Sequence, residues 1–555
     1  MVTEDDNFII YGPQPSEPLP KDCLGKFVLN NLINNPTNEV MLNVQSGQSI
    51  SYSQILQESC NLAESLRKYG CTQDTIIGLC SENHLKFFVP LLAATCLGSV
   101  IVPINPAYVH DELRHVLNLT QPKILFCSKL TLPKFNKDEY NFIEKIICID
   151  SDVPNVETAE KFVAKQLNGK SVDPKRFEMF SGNPETHLTA IMTSSGTTGL
   201  PKGVMLTDHN FEARILQFRD SVYKGAYALV DGKYTTTSKG TFGIMPFYHG
   251  AGIVLALACI AQQTKMLVIS RFDEDVFYKT IQDYQIESIG LPPPVVVLLA
   301  KSPKVDKYDL SSIKIIGSGA APLNKETEFI LKKRLPNLQA IIQGYGLTEY
   351  LAACLGIPDA VGKEGSTGPP STFTSIKIRD PETGKSLGPH QVGEICIKGP
   401  LMMKGYYKNE QATRDSFTAD GWLKSGDLGY YDENNFIFIV DRLKELIKYK
   451  GFQVAPAELE ALLLHHPKVL DVGVVGLPDE LAGELPVALV VKKPGVAVTE
   501  KELQDFVAGK VSHQKKLRGG VIFISAIPKN LAGKILRREL RKLLKNHKVS
   551  WESKL

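Results

Sequence analysis

Between residues 188 and 349 the chain repeats one pattern. A short apolar run with the character of a buried strand is closed by a loop rich in glycine, proline or hydroxyls. The runs at 188–192, 242–245, 286–290, 314–317 and 340–343 all end this way, and helix-like stretches lie among them, as at 276–284. Such alternation predicts an α/β architecture with a substantially parallel sheet. It also predicts where a ligand goes, because open α/β sheets bind beyond the carboxyl ends of their strands. The alternation extends upstream, with helical spacing at 52–69 and 111–119 and strand-like runs at 75–79 and 123–126. The run 87–104 is uncharged and nearly long enough to span a membrane. Pro90, Pro103, Ala93, Ala94 and Gly98 predict a buried helix leading into a strand instead, so no transmembrane segment is expected.

The loop after the run 188–192 carries the strongest chemical signal. Thr193, Ser194, Ser195, Gly196, Thr197, Thr198 and Gly199 precede Leu200, Pro201, Lys202 and Gly203. Glycines reach φ > 0 without strain and turn their N–H groups toward an anion. Hydroxyls add donors, and nests of this kind cradle phosphate. A Walker P-loop is excluded, since its lysine follows glycine directly and precedes Ser or Thr, whereas Pro201 and Gly203 place Lys202 in a turn. Gly317, Ser318, Gly319, Ala320, Ala321 and Pro322 form a second loop that lacks the third glycine of a dinucleotide fingerprint. A third loop runs Gln343, Gly344, Tyr345, Gly346, Leu347, Thr348, Glu349. A carboxylate beside phosphate-binding amides repels the ligand unless a divalent cation lies between, which makes Glu349 a candidate Mg²⁺ ligand. Thr348 and Glu349 equally suit a helix N-cap and its first turn.

At 555 residues the chain exceeds what one core supports. From 372 it turns to shorter strands (376–378, 393–398, 436–440), predicting a β-rich subdomain at about 372–441. Asp427, after Gly426, reads as a tight-turn residue placed either for ribose hydroxyls or for the turn itself. Beyond 441 the order is helix 456–465, strands 470–475 and 487–491, helix 499–511, strand 521–524 and helix 534–545. The expected organisation is a large α/β domain, 1–441, and a small α+β domain, 442–555. Gly533 allows a sharp turn that lets Lys534 project toward the other domain, although a surface lysine reads the same way; Arg537 and Arg538 read as solvated helix charge.

A net charge of +3 gives no reason to expect nucleic acid. The ten cysteines show no CxxC and no Cys/His spacing, which predicts reduced thiols and no structural metal. The first residues show no signal-peptide pattern, and Ser553, Lys554 and Leu555 have the form of a peroxisomal address read by an import receptor.

Taken in order, the 194–203 loop, Gly-Tyr-Gly-Leu-Thr-Glu at 344–349, Ser-Gly-Asp at 425–427, the cation-dense run 441–451 and Gly533–Lys534 resemble the adenylate-forming superfamily over nearly the whole chain. The run at 441–451 and the terminal tripeptide look most like the insect luciferase and luciferase-like fatty acyl-CoA synthetase branch. The resemblance implies that Ser194, Ser195, Gly196, Thr197, Thr198, Gly199 and Lys202 hold the β- and γ-phosphates of ATP. It implies that Tyr345 stacks on adenine, with Gly319, Ala320, Ala321, Gln343, Gly344 and Gly346 around the AMP site. Thr348 and Glu349 would manage the α-phosphate and Mg²⁺, and Asp427, assisted by Arg442, the ribose. Lys534 would neutralise the transition state, Asp441 would serve as hinge, and Lys448, Lys450 and Gly451 would line the approach of CoA after the small domain rotates.

Arg214, His249, Ala251, Ala320 and Ala352 match positions around the acid substrate. Luciferases of this family present an aromatic residue where this chain has Ala251, many have glycine at Ala320, and they carry small hydroxyl residues where Leu351 and Ala352 stand. Lost aromatic and added aliphatic surface suit a flexible chain. The expected function is therefore an ATP-, Mg²⁺- and CoA-dependent fatty acyl-CoA synthetase, acting on medium or long chains through an acyl adenylate. The alternatives are a beetle-type luciferase, which adds O₂, and an aryl (4-coumarate-like) CoA ligase. A silent scaffold is disfavoured by the intact Lys534, Glu349 and Asp427.

Overall fold

The apolar runs become strands of parallel-rich sheets. The computed structural model describes residues 8–33, 38–136, 139–194, 201–221, 240–319, 323, 325–355, 363, 365–450, 452–479, 482–530 and 533–552. In the largest sheet, eight strands lie in the order Gly405–Tyr406, Lys202–Thr207, Leu188–Ser194, Val100–Ile104, Ile76–Cys80, Ile124–Cys127, Lys145–Cys148 and Glu157–Thr158. Pairing is parallel from Leu188–Ser194 onward, with an antiparallel hairpin at the other end. The uncharged run at 87–104 forms the helix Phe88–Leu97, buried at every position, followed by the buried strand Val100–Ile104. Each fully buried leucine or phenylalanine there is worth about 1.5–3 kcal/mol, which explains the lack of charge. Among the described residues no helix is long and apolar enough to cross a membrane.

A second sheet places Ser288–Leu291, Ile315–Gly319 and Ala340–Tyr345 side by side in parallel, with Cys354–Leu355 antiparallel at the edge. A third, four-stranded sheet joins Thr241–Gly243 and Met266–Val268 to Glu39–Asn43 and Ser49–Ser51. An antiparallel sheet contains Ser375–Arg379, Gly393–Lys398, Leu423–Tyr431 and Ile437–Arg442, and takes Ile10–Tyr11 at one edge. The fifth sheet draws only on residues after Tyr406, namely Ile447–Tyr449, Phe452–Val454, Val469–Asp479, Gly483–Lys492 and Gly520–Phe523. With the helices Pro456–Leu464, Glu500–Ala508 and Arg537–Glu552 it forms a small C-terminal domain beside the large N-terminal one. Asp441 and Arg442 end the last long strand of the antiparallel sheet, directly before the small sheet begins.

Five local expectations change in the folded chain. Lys202 opens a strand, paired with Ser194, rather than sitting in a turn. Asp427 lies within the strand Leu423–Tyr431, where Gly426 at φ +73° accompanies a register shift against Gly393–Lys398. Thr348 and Glu349 occupy a turn, not a helix start. The last helix begins at Arg537, so Lys534 precedes it. Arg537 is also not solvated. Its side chain is 9% exposed and ion-paired to Glu460 at 2.9 Å and Glu445 at 3.4 Å, while Arg538 is exposed as expected.

Candidate active site

The carboxyl ends of the parallel strands in the second sheet surround a cavity of about 740 Å³, with Leu291, Gly319 and Tyr345 on its wall. Ser194 and Lys202 reach it from the hairpin of the largest sheet, and Asn530 and Lys534 reach it from the C-terminal domain. Part of the wall is aliphatic, including Met245, Leu291, Ile342, Leu351 and Ala251. The charged part holds Lys202, Arg379, Lys424, Arg442, Lys444 and Lys534 against Glu349, Glu394 and Asp415. This excess of cations attracts an anionic ligand.

Two hydroxyls face this field without a partner. Ser194 and Ser318 are each 7% exposed, and neither Oγ makes a hydrogen bond. Buried hydroxyls are ordinarily satisfied, so their place on the wall suits a ligand that brings acceptors. The Lys202 ammonium lies 4.6 Å from the ring centroid of Tyr406, whose hydroxyl donates to Glu349 Oε1 at 2.8 Å. Tyr406 thus links the phosphate-loop lysine to the candidate metal carboxylate. Nothing in the linear pattern pointed to it, since it arrives from a two-residue strand paired with Val204 and Met205. Glu349, a single carboxylate at a cation-rich wall with Thr348 beside it, fits Mg²⁺, which takes one or two carboxylates together with phosphate oxygens.

Tyr345, Asp427 and Arg442 form a relay. Tyr345 donates to Asp427 Oδ2 at 2.7 Å, and Arg442 Nε is ion-paired to Oδ1 at 3.0 Å. Asp427 and Arg442 are cross-strand neighbours, which keeps the pair in register. Burial raises the Asp427 pKa, opposed by Arg442 and by the Tyr345 hydrogen bond, and burial with the Asp427 charge keeps the Tyr345 hydroxyl protonated. Asp427 is only 4% exposed and stands behind the cavity wall. A carboxylate offers about four lone-pair positions, so a ribose contact would share oxygens already engaged by protein donors.

Gly319, Gly344, Gly346 and Thr348 line the cavity, but Gln343 does not. Its amide oxygen accepts from Leu323 N at 3.3 Å and its nitrogen donates to Glu328 Oε1 at 3.0 Å, so it braces the strand against the Leu323 backbone and the Glu328 side chain. On the acid-substrate side, His249, Ala251 and Ala352 line the cavity. His249 caps the helix Gly250–Ala261, and its Nδ1 accepts from Ala251 N at 3.4 Å. It is open to the cavity yet deep in the protein, and burial lowers its pKa, which favours the neutral imidazole. Arg214, on the helix Asp208–Ser221, lies behind the wall with its guanidinium 5.5 Å from the ring of the lining residue Phe218. Its Nη1 has no partner, and burial pushes its pKa down to about 10. Leu351, at φ +53°, holds a backbone conformation disfavoured for a branched side chain beside this wall.

Lys534 is held by a tight loop. Its N–H donates to Asn530 Oδ1 at 2.9 Å, and the Gly533 N–H donates to the Asn530 carbonyl at 2.9 Å. Gly533 has φ +82°, and a Cβ there would lie 2.6 Å from Pro294 of the large domain, so only glycine permits this approach. Asp441, the expected hinge, is buried and accepts from Ala457 N at 3.0 Å, tying it to the first turn of the helix Pro456–Leu464. Lys448 and Lys450 are exposed on the small sheet and do not line the cavity. Ser195, Gly196, Thr197, Thr198, Gly199, Ala320, Ala321, Gly451, Ser553, Lys554 and Leu555 lie outside the described residues.

Burial, reinforced by Arg442 and Arg537, holds Lys534 below the usual lysine range of about 10.4. If its ammonium serves the reaction, kcat/KM for adenylate formation falls on the alkaline side with a midpoint below that range. Lys534→Arg should remove this limb, because guanidinium stays charged. Pyrophosphate release measured against pH reads the limb, and an identical limb in Lys534→Arg would assign it to another group.

The family "AMP-binding enzyme" matches residues 31–407, and "AMP-binding enzyme C-terminal domain" matches residues 458–534. The luciferin 4-monooxygenase of Photuris pensylvanica is 41% identical over 551 residues, covering 98% of this chain and 99% of that protein. A probable 4-coumarate–CoA ligase of Dictyostelium discoideum is 37% identical over 542 residues, covering 95% and 96%. The structure of a natural red-emitting luciferase from Phrixothrix hirtus superposes with a TM-score of 0.72 at 42% identity, covering 97% of this chain and 99% of that one. The hairpin carrying Lys202, the cation-rich cavity at strand ends and the C-terminal lysine that reaches it thus lie in a chain whose matches extend along both of its domains. The chain belongs to the adenylate-forming AMP-binding enzyme family.

Proposed function

We propose that this enzyme is an AMP-forming fatty acyl-CoA synthetase, with a large domain at 1–441 and a small one at 442–555. The observation that carries the reading is the aliphatic wall of Met245, Leu291, Ile342 and Leu351, open at Ala251, in the same cavity as Lys202, Arg442 and Lys534. A flexible apolar tail suits the first group and a triphosphate the second. In this reading a substrate carboxylate oxygen attacks the α-phosphorus of ATP, the bond to pyrophosphate breaks, and Lys534 offsets the charge gathered at the meeting of two anions. Glu349 would hold Mg²⁺, which when bound would supply charge neutralisation to the phosphates. Arg442 and Asp427 keep the nucleotide side rigid. The small domain then turns about Asp441, withdraws Lys534 and presents Lys448, Lys450 and Gly451 to the CoA thiol.

The test is thioester formation from ATP-Mg²⁺, CoA and a ladder of fatty acids, with 4-coumarate in the same series. A parallel assay with beetle luciferin and O₂ reads light. Thioester with weak light supports the synthetase; strong light with slow thioester formation would establish a luciferase instead, a reading favoured by the 41% identity to the Photuris enzyme. Preference for 4-coumarate would establish the aryl ligase. Ala251→Phe should lower kcat/KM for the longest accepted acids about tenfold, because overpacking costs about 1–3 kcal/mol. Equal losses for short and long acids would remove Ala251 from the chain-binding wall.

The proposal includes peroxisomal import through Ser553, Lys554 and Leu555. An N-terminally tagged chain should give peroxisomal puncta in cells, and deletion of residues 553–555 should disperse them. Unchanged puncta after deletion would overturn this address.

A further inference from the structure

Away from the cavity, the fold assembles a set of donors that the linear spacing concealed. Cys23 precedes the helix Leu24–Ile33, His187 precedes the strand Leu188–Ser194, and Asp208 opens the helix Asp208–Ser221. One ligand atom from each of the three lies within 4.8 Å of the others. Glu212 follows Asp208 by one helical turn, hence on the same face.

We propose that Cys23, His187, Asp208 and Glu212 form a binding site for a zinc-class divalent cation. Bonds of about 2.0–2.3 Å space the ligands of a tetrahedral zinc about 3.3–3.8 Å apart, so small side-chain adjustments close the set of Cys23, His187 and Asp208, with Glu212 one helical turn from Asp208 to complete it. His187 is oriented for this task. Its Nε2–H donates to the Gly98 carbonyl at 2.8 Å, which directs Nδ1 inward to within 2.8 Å of Asp208 Oδ2. The Phe180 ring lies 4.3 Å from the imidazole centroid and limits its rotation. Asp208 is steadied through its other oxygen, which accepts from Thr189 Oγ1 at 2.5 Å. Outer partners on both a ligating histidine and a ligating carboxylate are the usual support of a metal site.

Glu212 is the second, independent observation. It is fully buried, and neither of its carboxylate oxygens has a hydrogen-bond partner. A cation supplies what is missing. Cys23 is 3% exposed, with its thiol donating to the Gly182 carbonyl at 3.5 Å. The thiol and imidazole disfavour Mg²⁺ and Ca²⁺, which take oxygen ligands, and favour zinc. On binding, the protons carried by the Cys23 thiol, by His187 Nδ1 and by the buried Glu212 carboxyl leave to solvent. His187, with 12% of its side chain exposed, marks the route of entry. Occupancy would join the start of the helix Leu24–Ile33 to the strand Leu188–Ser194 and to the helix that carries Arg214.

The experiment uses full-length protein stripped of metal and titrated with Co²⁺, a coloured stand-in for Zn²⁺. One equivalent should give tetrahedral visible bands and a thiolate-to-cobalt charge-transfer band, all bleached by Zn²⁺. Cys23→Ser should lose the charge-transfer band, and the isosteric Glu212→Gln should bind at least about tenfold more weakly. Zn²⁺ should raise the melting temperature of the wild type more than that of Glu212→Gln. Absence of the bands in the wild type, or a spectrum and affinity unaltered in both variants, would overturn the site. If Cys23→Ser does not fold, Glu212→Gln and the wild-type melting shift decide the matter.

Discussion

Replacing Lys534 by alanine lowers adenylate formation by about 10²–10³-fold or more, the cost of removing one preorganised charge-stabilising donor from a transition state. Thiolysis of a supplied acyl adenylate stays near its original rate. The split arises because Lys534 reaches the cavity from the C-terminal domain, on a loop closed by Asn530 and seated at Gly533 against Pro294. In the proposed reaction it neutralises charge where a carboxylate approaches a phosphate, a need that has passed once the adenylate exists. Radiolabelled pyrophosphate exchange reads the first half-reaction, and release of AMP from synthetic acyl adenylate and CoA reads the second. Equal loss in both would show that Lys534 acts through the position of the whole domain.

Replacing Arg537 by methionine destabilises the protein by about 3–5 kcal/mol, the cost of stranding a buried charge. Arg537 sits between Glu460 at 2.9 Å and Glu445 at 3.4 Å, and all three side chains are at most 14% exposed. Burial already raises Glu460 to about 7 despite the guanidinium. A carboxylate whose folded pKa lies above its unfolded value, about 4.3, contributes its full share of stability below the unfolded pKa. That share is lost as pH rises through the folded one. Without Arg537 the folded pKa climbs further, so the penalty should be larger at about pH 8 than at about pH 5, where Glu460 takes up a proton. Urea unfolding of both proteins at the two pH values measures the difference. A loss under about 1 kcal/mol, or one independent of pH, would return Arg537 to the solvated role that its sequence context indicated.

Lys534 and Arg537 show where linear reasoning succeeds and where it stops. Lys534 follows a glycine whose positive φ has a local cause, and Gly-Lys near the C-terminus belongs to an ordered set of motifs. Arg537 belongs to a cationic run, and only the arrival of Glu445 and Glu460 makes it a buried charge. Gln343 illustrates the converse, since it stands in a recognisable loop but spends its amide on Leu323 and Glu328. Tyr406 had no motif, yet it bridges Lys202 and Glu349.

By itself the sequence determined the alternation of strands and helices, the uncharged helix at Phe88–Leu97, and the glycine- and hydroxyl-rich loops at strand ends. These are consequences of short-range rules, namely periodicity, side-chain size and the freedom of glycine at positive φ. The tertiary structure alone decided that Asp427 would be held by Tyr345 and Arg442, that Asp441 would cap a helix of the small domain, and that Cys23 would meet His187 and Asp208. Those contacts join residues from 15 to more than 160 positions apart. Their strength comes from desolvation and charge at short range, which exist only after the layers have packed.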